Sequence, residues 1–513
     1  MRMVSVVRSI GLWGIDGFLI DVETDIHKSD QFSVHIVGLP DASVREAAER
    51  IKAALLNAGF RLYHASVVIN LAPADVRKEG SVYDLAMVLG MLSASGQIQT
   101  PPRDAAFLGE VSLSGTIRGS NGIFASALAA KQLGFQQIYV PQENVSEAAT
   151  VDGIEVFGVE SLRQLTDHLS GQVPIKAAPK PDFSHSIRED VPDVDFSQII
   201  GQQSARRACE IAAAGGHNML FIGPPGAGKS MLAKALPTIL PDLSVEEKIE
   251  SSKIYSVCGK LTAAHPLVTH RPFMKTNQSV SVAALTGGGV IPKPGLISLA
   301  HNGVLFLDEI AEFSPRVLDS LRQPLEDRCV TVSRVKGSVT YPASFMLVCA
   351  MNPCPCGRFG HPTQKCTCTK TQIDKYRGRI SGPLLDRIDI QAELPAVSVG
   401  ELNTFQKAES SAEIKLRVNR ARLRQQQRFA GTKTTCNANM SAAQVQQIKG
   451  ELSSEAYERL LQVFEKLSLS MRAHDKIIKL ARTIADLAGR ETIEASDISE
   501  AVFFRSLDKK YWH

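Results

Sequence analysis

The chain has 513 residues, 44% hydrophobic and 21% charged, and its 57 Lys and Arg against 53 Asp and Glu leave a formal net charge of +4. That length exceeds one ordinary domain and that composition is globular, so wholesale disorder is excluded and about three domains are expected. So small a net charge excludes bulk electrostatics as the basis of nucleic-acid binding, and no run of about 18 apolar residues is present, so no membrane partner is expected and the cytoplasm is the expected location.

Residues 1–170 read as a mixed α+β domain, with alternation over 67–71 marking a strand and helical spacing over 43–58 and 83–92. Residues 171–192, with Pro174, Pro179, Pro181 and Pro192 among charged and small residues, read as a linker. Residues 193–398 alternate short apolar runs (Met219–Ile222, Val304–Leu307 and 345–349) with helical segments, the rhythm of a parallel α/β sheet. Residues 399–513 lose the strand signal, and 413–428, 442–466 and 472–488 read as helices of an all-helical domain.

The strongest chemical signal lies where the first apolar run of the α/β region meets a helix. Gly223-Pro224-Pro225-Gly226-Ala227-Gly228-Lys229-Ser230 has the composition of a phosphate-binding loop. Its glycines let backbone N–H groups turn toward phosphates, Lys229 reaches the outer phosphates of ATP, and Ser230 offers a hydroxyl to Mg2+. The run Val304–Leu307 ends in Asp308 and Glu309, the first suited to hold Mg2+ through water and the second to polarise the attacking water. The run at 345–349 leads to Asn352, a neutral amide suited to orienting that water.

Two segments exceed what such a sheet needs. Residues 279–298 carry Gly287-Gly288-Gly289 and Lys293, and residues 329–343 read as a hairpin with Arg334 and Lys336 at its tip. Lys293, Arg334 and Lys336 are candidate contacts to a phosphate backbone, the alternative being ordinary edge hairpins with solvated cations. Arg417, Arg420, Arg424 and Arg428 form a basic stripe at spacings of three and four, either a DNA-binding face or a solvated one. Cys354, Cys356, Cys366 and Cys368, two Cys-x-Cys pairs, are candidate ligands of a structural Zn2+, with His361 as a substitute ligand.

The order of phosphate loop, Leu307-Asp308-Glu309, Asn352, Ser381 to Asp389 and Ser470-Met471-Arg472 resembles the magnesium-chelatase-like AAA+ ATPases. The resemblance implies a P-loop core with a helical lid, Arg387 as a finger acting on the neighbouring subunit's nucleotide with Arg379 as competitor, Arg472 as the lid's sensor arginine, and both inserts facing a ring pore. Residues 78–142 resemble the proteolytic domain of Lon, a ribosomal S5 domain 2-like fold, but Val82 stands where that family has its serine and Ser126 near its lysine, so the dyad is absent. With Val37-Gly38-Leu39-Pro40-Asp41 and Gly215-Gly216-His217-Asn218, nearly the whole chain resembles the ComM/YifB family. That implies a homo-hexameric, ATP-driven helicase that acts on single-stranded, double-stranded and branched DNA beside a recombinase, promoting branch migration as incoming DNA is integrated in natural transformation. The competing expectation is a protein-remodelling or metal-chelatase-like motor without a DNA substrate.

Overall fold

The computed structural model describes residues 4–62, 64–181, 194–290, 292–334, 337–361, 363–396, 408–467 and 470–512. Its packing divides into two units, residues up to 181 together with Val245–Thr269, and residues 194–244 together with 270–512. Part of the expected linker, 182–192, lies outside the described residues; 172–181 carries turn or irregular backbone without helix or strand.

The first unit is built on a seven-stranded mixed sheet in the order Ser33–Val37, Ala65–Ala72, Asp16–Lys28, Ser5–Trp13, Ala105–Phe107, Gln137–Pro141, Glu155–Val159. Alternation places Val67, Ile69 and Leu71 on the buried face of Ala65–Ala72, each worth about 1.5–3 kcal/mol when fully covered. Helix Ala42–Asn57 starts where Asp41 accepts a 2.8 Å bond from the Val44 amide. Asp84 opens the almost wholly buried helix Asp84–Ala94 and is held by the Arg50 guanidinium at 3.0 and 3.1 Å.

One segment of this unit comes from far along the chain. Helix Val245–Val257 belongs in sequence to the α/β region, inside the boundaries 193–398 expected for the ATPase core, yet packs with the first unit. Its Ser256 sits on the start of helix Ile123–Gln132. The Ser256 carbonyl accepts from the Gly122 amide at 2.9 Å, and its hydroxyl accepts from the Phe124 amide at 3.1 Å while donating to the buried Glu147 carboxylate at 2.8 Å. The start of helix Ile123–Gln132 is thus closed by a satisfied hydrogen-bond network, and burial raises the Glu147 carboxyl above its usual range.

The second unit holds a five-stranded, all-parallel sheet in the order Phe273–Thr276, Val304–Leu307, Met346–Met351, Met219–Ile222, Ile390–Glu393. Apolar side chains at every position of Met219–Ile222 and Val304–Leu307 are buried, as strands covered on both faces require. The C-terminal helices Ser411–Arg428, Met471–Leu487 and Ala495–Phe503 share one hydrophobic core with this sheet, so no packing boundary falls near residue 399. The helix expected over 442–466 is two, Ala442–Lys449 and Ser454–Leu467. The break follows from Leu452 pairing with Ile493 and from the Ser453 hydroxyl capping the Ala456 amide at 3.1 Å.

Candidate nucleotide, metal and DNA sites

The phosphate loop joins the carboxyl end of Met219–Ile222 to helix Lys229–Ala235. Gly226 and Gly228 take φ of 79° and 92°, the left-handed conformation that turns the loop's amides inward. The buried Lys229 amine donates to the carbonyls of Gly223 (2.7 Å) and Pro224 (2.9 Å) and to Asn352 Oδ1 (3.0 Å). Burial pulls this amine down to about 8, against the attraction of Asp308 and Glu309.

Adjacent strand ends bring the other groups to the same edge. The Ser230 hydroxyl lies 3.1 and 3.3 Å from the two Asp308 oxygens, the donor set that suits a hard divalent cation. Lys275, on the neighbouring strand Phe273–Thr276, lies 3.2 Å from Asp308, and Gln278 donates to the Glu309 carboxylate. Neither was visible in the sequence, because a lone Lys or Gln in a short strand or loop carries no signal. Glu309 has φ 54°, a backbone conformation rare for a non-glycine residue and common at functional turns.

The cysteine loop follows Asn352 directly. The Sγ atoms of Cys354, Cys356, Cys366 and Cys368 all lie within 4.8 Å of one another, with three separations of 3.4 to 3.7 Å. Four thiolates at about 2.3 Å from a tetrahedral Zn2+ stand roughly 3.8 Å apart, so the set fits that ion. His361 does not join it; its ring nitrogen accepts from the amides of Thr363 (3.2 Å) and Gln364 (3.1 Å).

Arg387 and Arg472 stand elsewhere. Both line a cleft of about 540 Å³ together with Asn218, Phe345 and Asp389, the residues that immediately precede the amino ends of strands or their lead-ins. The phosphate loop is at the carboxyl ends, so four-residue strands put roughly 13 Å of sheet between the two sites. Arg387 is held by the Arg322 carbonyl (3.1 Å), the Pro383 carbonyl (2.7 Å) and the Glu326 carboxylate. The exposed Arg472 makes no ion pair or hydrogen bond among the described residues. Arg379 instead reaches the Ala311 carbonyl (2.9 Å) and Glu312 (2.7 Å), just beyond Glu309.

Beyond the sheet, the two inserts pack on each other. The hairpin Cys329–Arg334 with Gly337–Pro342 buries Val330, Val332, Val339 and Tyr341, and the Tyr341 hydroxyl donates to the Pro292 carbonyl at 2.7 Å. The short pair Gly287–Gly288 and Lys293–Pro294 lies against it, with Lys293 and Arg334 exposed. Lys336 lies outside the described residues. Two of the four arginines of the basic stripe on Ser411–Arg428 are spent within the chain: Arg417 pairs with Glu210 and Glu409, and Arg428 with the fully buried Asp486.

Comparison with known proteins agrees along the whole chain. Family models match for the magnesium chelatase subunit ChlI at residues 195–402 and 22–144, and for the ChlI C-terminal region at 408–505. The chain is 39% identical over 514 residues to YifB of Escherichia coli K12, covering 99% of this chain and 98% of that one. It is 37% identical over 507 residues to the competence protein ComM of Haemophilus influenzae, covering 98% of each. A chloroplastic magnesium-chelatase subunit, ChlI-2 of Arabidopsis thaliana, matches at 23% over 356 residues, 63% of this chain and 76% of that one. With the parallel sheet, the phosphate loop and the helical C-terminal region, these matches place the chain in the ComM/YifB family of magnesium-chelatase-like AAA+ proteins, a fold family that implies ATPase activity.

Proposed function

We propose that this protein is an ATP-driven DNA motor that works as a homo-hexameric ring and promotes branch migration of joint DNA molecules during natural transformation. The observation that carries the reading is the separation of the catalytic groups between opposite ends of one sheet. Lys229, Ser230, Asp308, Glu309 and Asn352 gather at the carboxyl ends, while Arg387 and Arg472 lie at the amino ends, out of reach of their own chain's phosphate loop. A cation on the developing charge of phosphoryl transfer then comes from a neighbouring copy, which ties hydrolysis to assembly.

Each group has a distinct task. Lys229 leaves the loop carbonyls for the outer phosphates of ATP. Ser230 and Asp308 hold Mg2+, which supplies neutralisation of phosphate charge; Glu309 takes the proton of the attacking water and Asn352 orients it. Arg387 leaves Glu326 to reach the neighbour's site, and Arg472, without a partner among the described residues, needs no such release. The cysteines hold Zn2+ as a structural ion, since four thiolate ligands leave no open position. Exposed Lys293 and Arg334, with Lys336, contact the phosphate backbone of DNA, and the name of the competence relative supports a role in transformation.

The deciding experiment measures ATPase activity with and without DNA and the resolution of a three-stranded and a four-way junction. DNA-stimulated turnover with junction migration is expected. ATPase activity indifferent to every DNA, with no junction movement, would transfer the protein to the protein-remodelling or chelatase-like motors.

A further inference from the structure

The four-cysteine loop does more than follow the Asn352 sensor; it bears on the phosphate loop itself. Gly357, one residue past Cys356, has φ 75° and lies so close to Pro225 that a Cβ on it would come within 2.5 Å of Pro225 Cδ and 2.8 Å of its Cγ. Pro225 is the third residue of the phosphate loop. Five residues before Gly357, Asn352 accepts from the Lys229 amine, so the same stretch of chain lies against both the loop's Pro225 ring and its lysine.

The other side of the cysteine loop is clamped. The buried Arg377 guanidinium donates twice to the Pro353 carbonyl, at 3.0 Å from Nε and from Nη2, and once to the Tyr511 carbonyl at 3.1 Å. It is stacked between the rings of Phe359 (4.7 Å) and Tyr511 (4.8 Å), and the Phe359 amide donates to Cys354 Sγ at 3.3 Å. A loop anchored on this side and pressed against Pro225 on the other transmits its own order to the phosphate loop. Without an ion the cysteines have little to keep them together, because metal binding and local folding are coupled at such sites.

We propose that the four-cysteine loop is an allosteric metal site, in which Zn2+ bound by Cys354, Cys356, Cys366 and Cys368 sets the affinity of the phosphate loop for nucleotide through the contact of Gly357 with Pro225. This rests on the reading of the cysteines as a zinc site. Linkage requires the effect to be reciprocal: nucleotide must tighten zinc binding by the same factor by which zinc tightens nucleotide binding.

The test uses the full-length protein and a fluorescent non-hydrolysable ATP analogue in excess Mg2+. Metal analysis comes first: one zinc per chain is expected, and a chain that neither carries nor takes up zinc refutes the zinc reading itself. Stripping the zinc is expected to weaken analogue affinity about tenfold, with recovery on adding zinc back. Competition against a chromophoric chelator should then show zinc held about tenfold more tightly when the analogue is saturating. That reciprocal measurement is made on loaded, folded protein, so it decides the matter even where stripping unfolds the loop. Gly357→Ala should keep its zinc and still lose analogue affinity, because its Cβ pushes Pro225. A zinc-loaded protein whose grip on the ion is the same with and without analogue overturns the inference while leaving the zinc site standing.

Discussion

The two ends of the second unit's sheet differ in how their groups are held. At the carboxyl ends, Lys229, Asn352, Ser230, Asp308 and Lys275 are engaged with one another in a preorganised cluster. At the amino ends, Arg472 is exposed without a partner among the described residues and Arg387 is parked on Glu326. Preorganisation belongs where a small ligand must be caught, whereas the end that serves another molecule keeps a mobile or releasable cation. On the proposed reading one chain carries two complementary halves of a site, and the comparison fails if either half works without the other.

The largest effect should come from emptying the first half. Lys229→Ala is expected to abolish binding of a fluorescent ATP analogue and all turnover; retained binding in a titration would remove Lys229 from the phosphate site. Arg387→Ala should leave analogue binding unchanged and lower turnover by about 10³. Glu309→Gln should also bind normally, with turnover down by about 10² or more. Mixed rings of these last two variants contain some interfaces with both residues intact, so activity should partly return. No recovery, with subunit exchange demonstrated, would shift the finger to Arg379, which the structure keeps beside Glu312 of its own chain.

A pH titration sharpens the contrast further. Since burial holds the free Lys229 amine at about 8 and bound phosphates must raise it, nucleotide binding takes up a proton above that value. Analogue affinity should be flat below pH 8 and fall with rising pH above it, by up to tenfold per unit. Lys229→Arg, charged throughout, should show a flat profile if it binds at all. The smallest effect is expected at the hairpin. Replacing Arg334 and Lys336 together with Ala should spare basal ATPase, weaken single-stranded DNA binding and lower the salt slope by about 1.4, near 0.7 for each phosphate that is no longer neutralised. An unaltered slope would take the hairpin out of the DNA path.

Much of this site was legible in the amino-acid sequence. A glycine-rich loop between an apolar run and a helix, and an apolar run ending in Asp308 and Glu309, are local patterns, and the cysteine spacing is equally local. Lys275 and Gln278 were not, because their roles come from lying one strand over. The arginine stripe on Ser411–Arg428 shows the opposite failure: periodicity correctly places Arg417 and Arg428 on the helix surface but cannot see Glu210, Glu409 and Asp486, brought from up to some 200 residues away. Helix Val245–Val257 has a sequence neighbourhood that assigns it to the ATPase region, and only packing assigns it to the first unit.

By itself the sequence determined which residues can touch phosphate, water and metal, because those chemistries depend on residue type and on spacings within a single turn or loop. Tertiary structure alone decided which of them lie side by side, since parallel strands put the residues that follow them at one end of the sheet but the chain order says nothing about which strands are neighbours. It put Gly357 against Pro225 and filled the start of helix Ile123–Gln132 with Ser256. Both are close approaches between segments more than 100 residues apart, set by the shape of the packed core, which no local pattern encodes.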